Sequence, residues 1–364
     1  MPPPACARLL FTDIDGTIVH YPDAQARWGA PKSGAAWGAD SNDGGDGDRV
    51  EWVDKVGQRR GRGRRDARAW RPCRATPRTP RQATGDAHPL LLLPPSTTGK
   101  RGAISLKTLR LLASAPAGGV GVVVVSGART ATLAARLAFL PPALAVASEN
   151  GGRLWWADPE RPTLARLRED TAWRDRHAAS AGPRAGDGKK PEDREGPLWD
   201  AYRQFKALGW SPDASGYTTA FRLPVAPPHT ASDARAALAS LPPCLASTFN
   251  LGCADVYPAT SGKRAVAEHV ASSAGARVAA SAFLCDDDND LDLATVVGRA
   301  FAVGATHASV REATAADPGR WWVAQGEGTL AADAAVEAAL AWLSGGGGGG
   351  AIEPGARELA GAPA

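Results

Sequence analysis

Apolar residues in this chain come in short runs with two different periods. The stretches at 8–12 and 119–125, with apolar residues at 9–11 and 120–125, are of strand length and rich in large or β-branched side chains. That is the pattern of strands buried on both faces of a parallel sheet. Between and after them the apolar positions recur at helical spacing. Leu106, Leu109, Leu111 and Leu112 predict a helix over 105–113. A second helix is expected from about 130 to 139, where Pro141-Pro142 stops it, and a third strand at 144–147. Strand and helix alternate, as in an α/β sheet with helices on both faces.

After Glu149-Asn150-Gly151-Gly152 the texture changes. Strand-like pieces at 153–156, 217–223, 245–250 and 254–257 surround two helix candidates, 199–208 and 232–240. A polar loop at about 180–197 interrupts them. This reads as a small α+β module. From Lys263 the first texture resumes, with helices at 263–274, 289–297, 307–315 and 329–344 and strands at 281–285, 299–303 and 321–323. The expected organisation is a discontinuous Rossmann-like parallel-sheet core, 1–22, 89–152 and 259–344, with an α+β cap at 153–258 inserted into it.

Two segments fit neither pattern. Residues 23–88 pass from acidic, Gly-rich sequence into an Arg-rich block at 58–81 with no hydrophobic period. Such a stretch buries too little surface to offset its ordering entropy and is expected to be disordered. Arg59–Arg65 offers an RNA-binding or targeting patch, but a basic run without folded context is a weak signal, so nucleic acid is not the expected partner. The Gly-rich tail, 345–364, is expected to be disordered as well.

Composition narrows the class. The chain has 364 residues, 44% of them hydrophobic, and a net charge of +4. Its five cysteines are odd in number and form no Cys-x-x-Cys, which argues against a disulfide framework or a structural zinc site. No apolar run approaches the roughly 20 residues of a membrane helix. The first strand begins by about Arg8, which leaves no room for a cleavable leader without losing that strand. The expected compartment is the cytoplasm.

The chemistry lies where strands end. Asp13 and Asp15, in Asp13-Ile14-Asp15-Gly16-Thr17, stand two apart, so an extended backbone turns both carboxylates to one face, and Gly16 lets the chain turn away. A carboxylate there can attack phosphorus, and its neighbour can serve as acid and then base. Ser126-Gly127 at a strand-to-helix junction suits a phosphate oxygen, though Ser-Gly is also ordinary turn chemistry. Arg129 reads equally as an aid to that phosphate or as a solvated residue. Lys263 opens a helix and can neutralise phosphate charge; its Gly-Lys pair lacks the earlier glycine of a P-loop. Asp286, Asp287, Asp288 and Asp290, with Asn289, put four acids in five residues, which repel unless a cation is present. Hard oxygens in such a cluster suit Mg²⁺. The spacing is wrong for an EF-hand, and one of the acids can be a helix cap.

These motifs, in this order, resemble the haloacid-dehalogenase-like superfamily of phosphatases, over about 8–22, 90–152 and 259–344. Glu149-Asn150-Gly151 resembles the way into the cap in the Cof-type and sucrose-phosphate phosphatase branches. Asp255-Val256-Tyr257-Pro258, followed by Gly262-Lys263, resembles the way out. The resemblance implies Asp13 as nucleophile, Asp15 as general acid/base, and Ser126, Gly127 and Lys263 as phosphate binders. It implies Mg²⁺ held by Asp13, the Asp15 carbonyl and Asp286, with Asn289 and Asp290 either as further ligands or as groups behind them. Cys285 stands where the family usually has Gly. The implied activity is Mg²⁺-dependent hydrolysis of a small phosphorylated metabolite, a sugar phosphate by preference, through an aspartyl-phosphate. A phosphomutase and a catalytically silent binding relative are the alternatives. Arg222 and the tryptophans at 155, 156, 173, 199 and 210 read more readily as structural than as substrate contacts.

Overall fold

Strand β1 (Arg8–Thr12) lies in the middle of the sheet, with Leu9, Leu10, Phe11 and Thr12 all fully buried. The computed structural model describes residues 8–21, 89–94, 101–158, 167–250, 252–305, 307–326 and 328–345. The disordered insertion expected at 23–88, its Arg-rich block 58–81, and the tail after Gly345 lie outside the described residues. A short antiparallel pair, β2 (Leu90–Leu92) and β3 (Ala103–Ser105), follows β1 in the described chain. Then come β4 (Val120–Val125), β5 (Ala145–Ser148), β6 (Arg153–Ala157) and β7 (Leu167–Glu169). The cap strands are β8 (Phe221–Pro224), β9 (Leu245–Asn250) and β10 (Cys253–Pro258). The core closes with β11 (Ala282–Cys285), β12 (Arg299–Ala302) and β13 (Trp321–Val323).

The large sheet has eight strands in the order β13-β12-β11-β1-β4-β5-β6-β7. All neighbours are parallel except at β5–β6 and β6–β7. Side chains alternate across it. Leu10, Val122, Val124 and Leu284 face one side, under α1 (Leu106–Ser114), α2 (Thr130–Leu137) and a late helix at Gly328–Ser344. Leu9, Phe11, Val123, Val125 and Phe283 face the other, over helices at Lys263–Ala274, Leu291–Ala294 and Ala308–Ala316. This is the expected α/β core with helices on both faces.

One sequence expectation is corrected here. The strand at 153–156, read as the first piece of the cap, is β6 and hydrogen-bonds to β5 as part of the large sheet. The two linkers between the large sheet and the cap, 149–152 and 259–262, are braced by a segment the sequence did not signal, α3 (Thr171–Asp175) and α4 (Ala178–Ala181). The Trp173 indole donates to the Gly151 carbonyl at 2.8 Å, and His177 Nδ1 lies 2.8 Å from Thr260 Oγ1.

The cap proper is the antiparallel sheet β8-β10-β9 backed by α5 (Pro197–Ala207) and α6 (Ala231–Leu238). Trp199, Tyr202, Phe205, Trp210, Phe221, Leu223, Ala254 and Val256 form its own core. Trp199 and Trp210 are thus core residues of the cap, and Trp156 and Trp173 belong to the core beneath the large sheet.

Candidate active site

Three strand ends meet at one edge. β11, β1 and β4 are adjacent and parallel, so Asp286, Asp13 and Ser126, which directly follow them, leave the sheet on the same side. The chain goes from β1 to β4 on one side and reaches β11 on the other. A crevice at such a reversal is where open α/β sheets take their ligands. The Asp13 amide donates to the Leu284 carbonyl at 3.2 Å, which ties the loop after β1 to the end of β11.

Lys263 reaches this edge from the first turn of α7 (Lys263–Ala274), whose preceding residue, Gly262, has φ of 106°. Its ammonium is buried between two carboxylates, 3.0 Å from Asp13 Oδ2 and 2.5 Å from Asp290 Oδ1. Asp290 is also the local organiser of its loop. Its Oδ2 accepts from the amides of Asp286 at 3.0 Å and Asp287 at 3.3 Å. Asp287 in turn accepts from the Asp288 amide at 2.6 Å. Two of the four acids therefore cap a helical turn in the way such residues commonly do. Asp286 accepts from Thr17 Oγ1 at 2.5 Å. Gly16 is required by this packing: its φ is 89°, and a Cβ there would lie 1.9 Å from Asp286 Oδ2.

Carboxylate oxygens of Asp13, Asp286 and Asp290 lie within 4.8 Å of one another. Burial pushes the Asp13 carboxyl up to about 7; Lys263 works against the rise, while Asp290 and Asp15 add to it. Burial, then Asp290 and Asp13, push Asp286 well above the usual carboxylate range. Burial disfavours the Lys263 charge, but Asp13 and Asp290 outweigh it and hold the ammonium protonated. Ionised together, the three acids would carry more negative charge than one lysine balances, and without a further cation they hold on to protons. Asp13 Oδ1 and both amide atoms of Asn289 are buried and have no hydrogen-bond partner among the described residues. Unpaired buried polar atoms are costly and call for an unseen partner. Hard oxygen donors around an uncompensated charge fit Mg²⁺.

Ser126 is buried, and its Oγ accepts from the Ala128 amide at 3.1 Å. Gly127 beside it is buried as well. Arg129 turns to the cap, pairing with Asp213 and lying 5.1 Å over the Tyr217 ring. Asp15 departs from its simple expectation. The chain leaves the extended form after Thr12, and the Asp15 carboxylate is held by Arg136 and by Tyr21, whose hydroxyl donates at 2.7 Å. Burial, then the charge of Asp15, push the Tyr21 phenol up, so it remains a donor. Cys285 is buried, and burial pushes its thiol well up, leaving a small apolar core group.

Glu149 and Asn150, marked by the sequence only as the way into the cap, find partners there that the sequence did not signal. Glu149 is fully buried at φ 56° and accepts from the amides of Thr218 and Thr219 at 2.7 Å each, from Thr219 Oγ1 at 2.8 Å and from Thr130 Oγ1 at 2.7 Å. It joins cap to core. Asn150, at φ 53°, donates to Asp255 Oδ2 at 3.1 Å. Arg222, for its part, is engaged by Asp255 through two hydrogen bonds of 2.7 and 3.0 Å.

No protein-family model and no curated protein sequence matches the chain. Among solved structures it is similar to the sucrose-phosphatase of Synechocystis sp. PCC6803 in complex with sucrose and phosphate. The identity is 16%, over 65% of this chain and 91% of that one, with a TM-score of 0.50. The chain has the haloacid-dehalogenase-like fold. Other structures similar to it are a haloacid dehalogenase-like hydrolase from B. subtilis and trehalose-6-phosphate phosphatase from Aspergillus fumigatus. The first is 13% identical over 66% of this chain and 93% of that one, with a TM-score of 0.41. The second is 14% identical over 94% of each, with a TM-score of 0.42. Within this haloacid-dehalogenase-like fold, the acids, the lysine and the buried serine all gather at the carboxyl edge, with the cap joined to the core beside them.

Proposed function

We propose that the chain is a Mg²⁺-dependent phosphatase of small phosphorylated metabolites, with a sugar phosphate as the preferred class. The observation that carries the reading is the buried Lys263 ammonium held between Asp13 and Asp290, with Asp286 completing the acidic cluster. Asp13 and Asp286, the Asp15 carbonyl, and Asn289 or Asp290 would hold the Mg²⁺. Bound there, the ion would neutralise charge on the phosphoryl oxygens.

In this mechanism a carboxylate oxygen of Asp13 attacks phosphorus, and the ester P–O bond breaks with its electron pair passing to the leaving oxygen. Asp15 protonates that oxygen. Asp15 then takes a proton from water, which attacks the aspartyl-phosphate and releases Asp13 and inorganic phosphate. Lys263 and the Ser126-Gly127 corner offset the negative charge of the transferring group. The sugar class is supported by the polar face of the cap sheet. Phe221, Leu223, Ala254 and Val256 point into the cap's core, so Arg222, Asp255 and Tyr257 lie on the other face. That face meets the core through Asn150. The sucrose and phosphate bound by the Synechocystis neighbour agree with this class.

No helix among the described residues is long and apolar enough to cross a membrane. Cys244, Cys253 and Cys285 are free thiols, which accords with the cytoplasmic setting that we include in the proposal.

Phosphate release from a panel of sugar phosphates and an aryl phosphate, with Mg²⁺ or EDTA, tests this reading. Mg²⁺-dependent release lost in Asp13→Asn is expected. No release by folded protein would discard it, and phosphoryl return to a sugar without net release would mark a mutase instead.

A further inference from the structure

We propose that Arg136, assisted by Tyr21, is the positioning residue of the general acid/base Asp15, confining proton exchange to one of its two oxygens. The inference rests on the phosphatase reading above. Arg136 lies on the inward face of α2 with Thr132 and Leu133, and its side chain is 3% exposed. A guanidinium in such a place is costly unless its charge is met. Its one ion-pair partner among the described residues is Asp15, through Nη1 on Oδ1. Its Nη2 donates to the Tyr21 hydroxyl at 2.5 Å, and the Tyr21 hydroxyl donates to the same Asp15 Oδ1 at 2.7 Å.

Two donors therefore converge on Oδ1. Oδ2 has no hydrogen-bond partner among the described residues, and the Asp15 side chain keeps 19% exposure. The asymmetry matters chemically. A proton placed on Oδ1 would point its O–H at a guanidinium and a phenol that are already donating. Proton exchange is therefore confined to Oδ2.

The two half-reactions need this arrangement. In the first, the ester oxygen leaves with the P–O electron pair and takes the proton from Oδ2. In the second, water loses a proton to Oδ2 as its oxygen bonds to phosphorus and the Asp13–phosphorus bond breaks. The carboxyl ends as it began, and Oδ1 stays tethered throughout. A base held in orientation by a further group is a recurring device of nucleophilic catalysis. Stability alone does not call for the pair, since a buried ion pair is often no more stable than apolar residues of similar volume.

The test compares kcat/KM for an alkyl phosphate and for 4-nitrophenyl phosphate, whose phenolate leaves without a proton. In Arg136→Met, kcat/KM for the alkyl ester should fall by about 100-fold, within the range general acid catalysis contributes. For the aryl ester it should change by less than about threefold, because kcat/KM reports steps only through leaving-group departure. Arg136→Lys should recover part of the alkyl-ester loss. Tyr21→Phe should show a smaller loss of the same selectivity, and together these two carry the test if Arg136→Met does not fold. Equal losses on both esters, or no loss, would overturn the positioning role while leaving the phosphatase reading in place. Wild type inactive on both esters would remove both.

Discussion

At the scale of single residues, the site is governed by charge that burial makes expensive. Asp13 titrates near 7 because it is buried beside other acids, and its usual value is 3.8. Above 3.8 the unfolded chain gives up this proton while the folded chain keeps it until about 7. The group therefore favours the folded state at low pH, and that contribution is lost as pH rises through this window. In EDTA, raising the pH from 5.5 to 8 should lower the melting temperature of wild type relative to that of Asp13→Asn, the contributions of the buried histidines being common to both. Asp13→Asn should also lose turnover by at least about 1,000-fold, as expected when a nucleophile is removed. Mg²⁺ should raise the wild-type midpoint at pH 8 and move the variant much less. Thermal melts with and without EDTA, and phosphate release, check both outcomes.

At the scale of elements, the loops after β1 and β11 and the two linkers are built by close backbone approach. The backbone at Gly16 packs against the Asp286 carboxylate, so a methyl group at position 16 would displace that side chain. Gly16→Ala should leave the far-ultraviolet circular dichroism unchanged yet lower kcat by about tenfold or more, because a misplacement of about 1 Å near the chemistry carries a cost of that order. Glu149 is the corresponding fixture of the hinge. Glu149→Gln turns an amide donor toward groups that already donate, and should cost about 2–3 kcal/mol of stability, the penalty of a buried unsatisfied polar group. Urea unfolding measures it, and an unchanged midpoint would show that Glu149 is not the clamp its contacts suggest.

At the scale of the whole molecule, cap and core are held by the brace at α3–α4 as well as by the linkers. His177 within it is buried against Trp173. Burial first, then Arg174 and Arg176, lower its imidazole to about 4 from an ordinary 6.5. The unfolded chain takes up this proton below 6.5 and the folded chain only near 4. Stability from this residue is full above pH 6.5 and is lost as pH falls toward 4. His20, buried beside Thr17 and lowered to about 4 mainly by burial, acts in the same direction. Denaturation midpoints measured from pH 7 to 4 should decline less steeply in His177→Gln than in wild type.

The sequence by itself determined the α/β alternation and the loops that bear the chemistry, because both are local. An unbroken apolar run such as 122–125 needs two covered faces, and acids crowded at 286–290 need a countercharge wherever the chain goes. Parallel pairing then carries Asp13, Ser126 and Asp286 to one edge, and Lys263 reaches the same place from the first turn of α7. What only the tertiary structure decided depends on partners distant in sequence. β6 reads as readily as a cap strand as a core strand, and only its register with β5 settles it. Arg136 sits on the inward face of α2 beside Thr132 and Leu133, a misfit that its sequence shows but does not explain. Its partner Asp15 lies 121 positions away. Glu149 marks the way into the cap in the sequence, but that the cap's Thr218 and Thr219 amides bind its carboxylate is decided only by the fold. Local pattern specifies which groups the chain offers, whereas the fold specifies which of them meet.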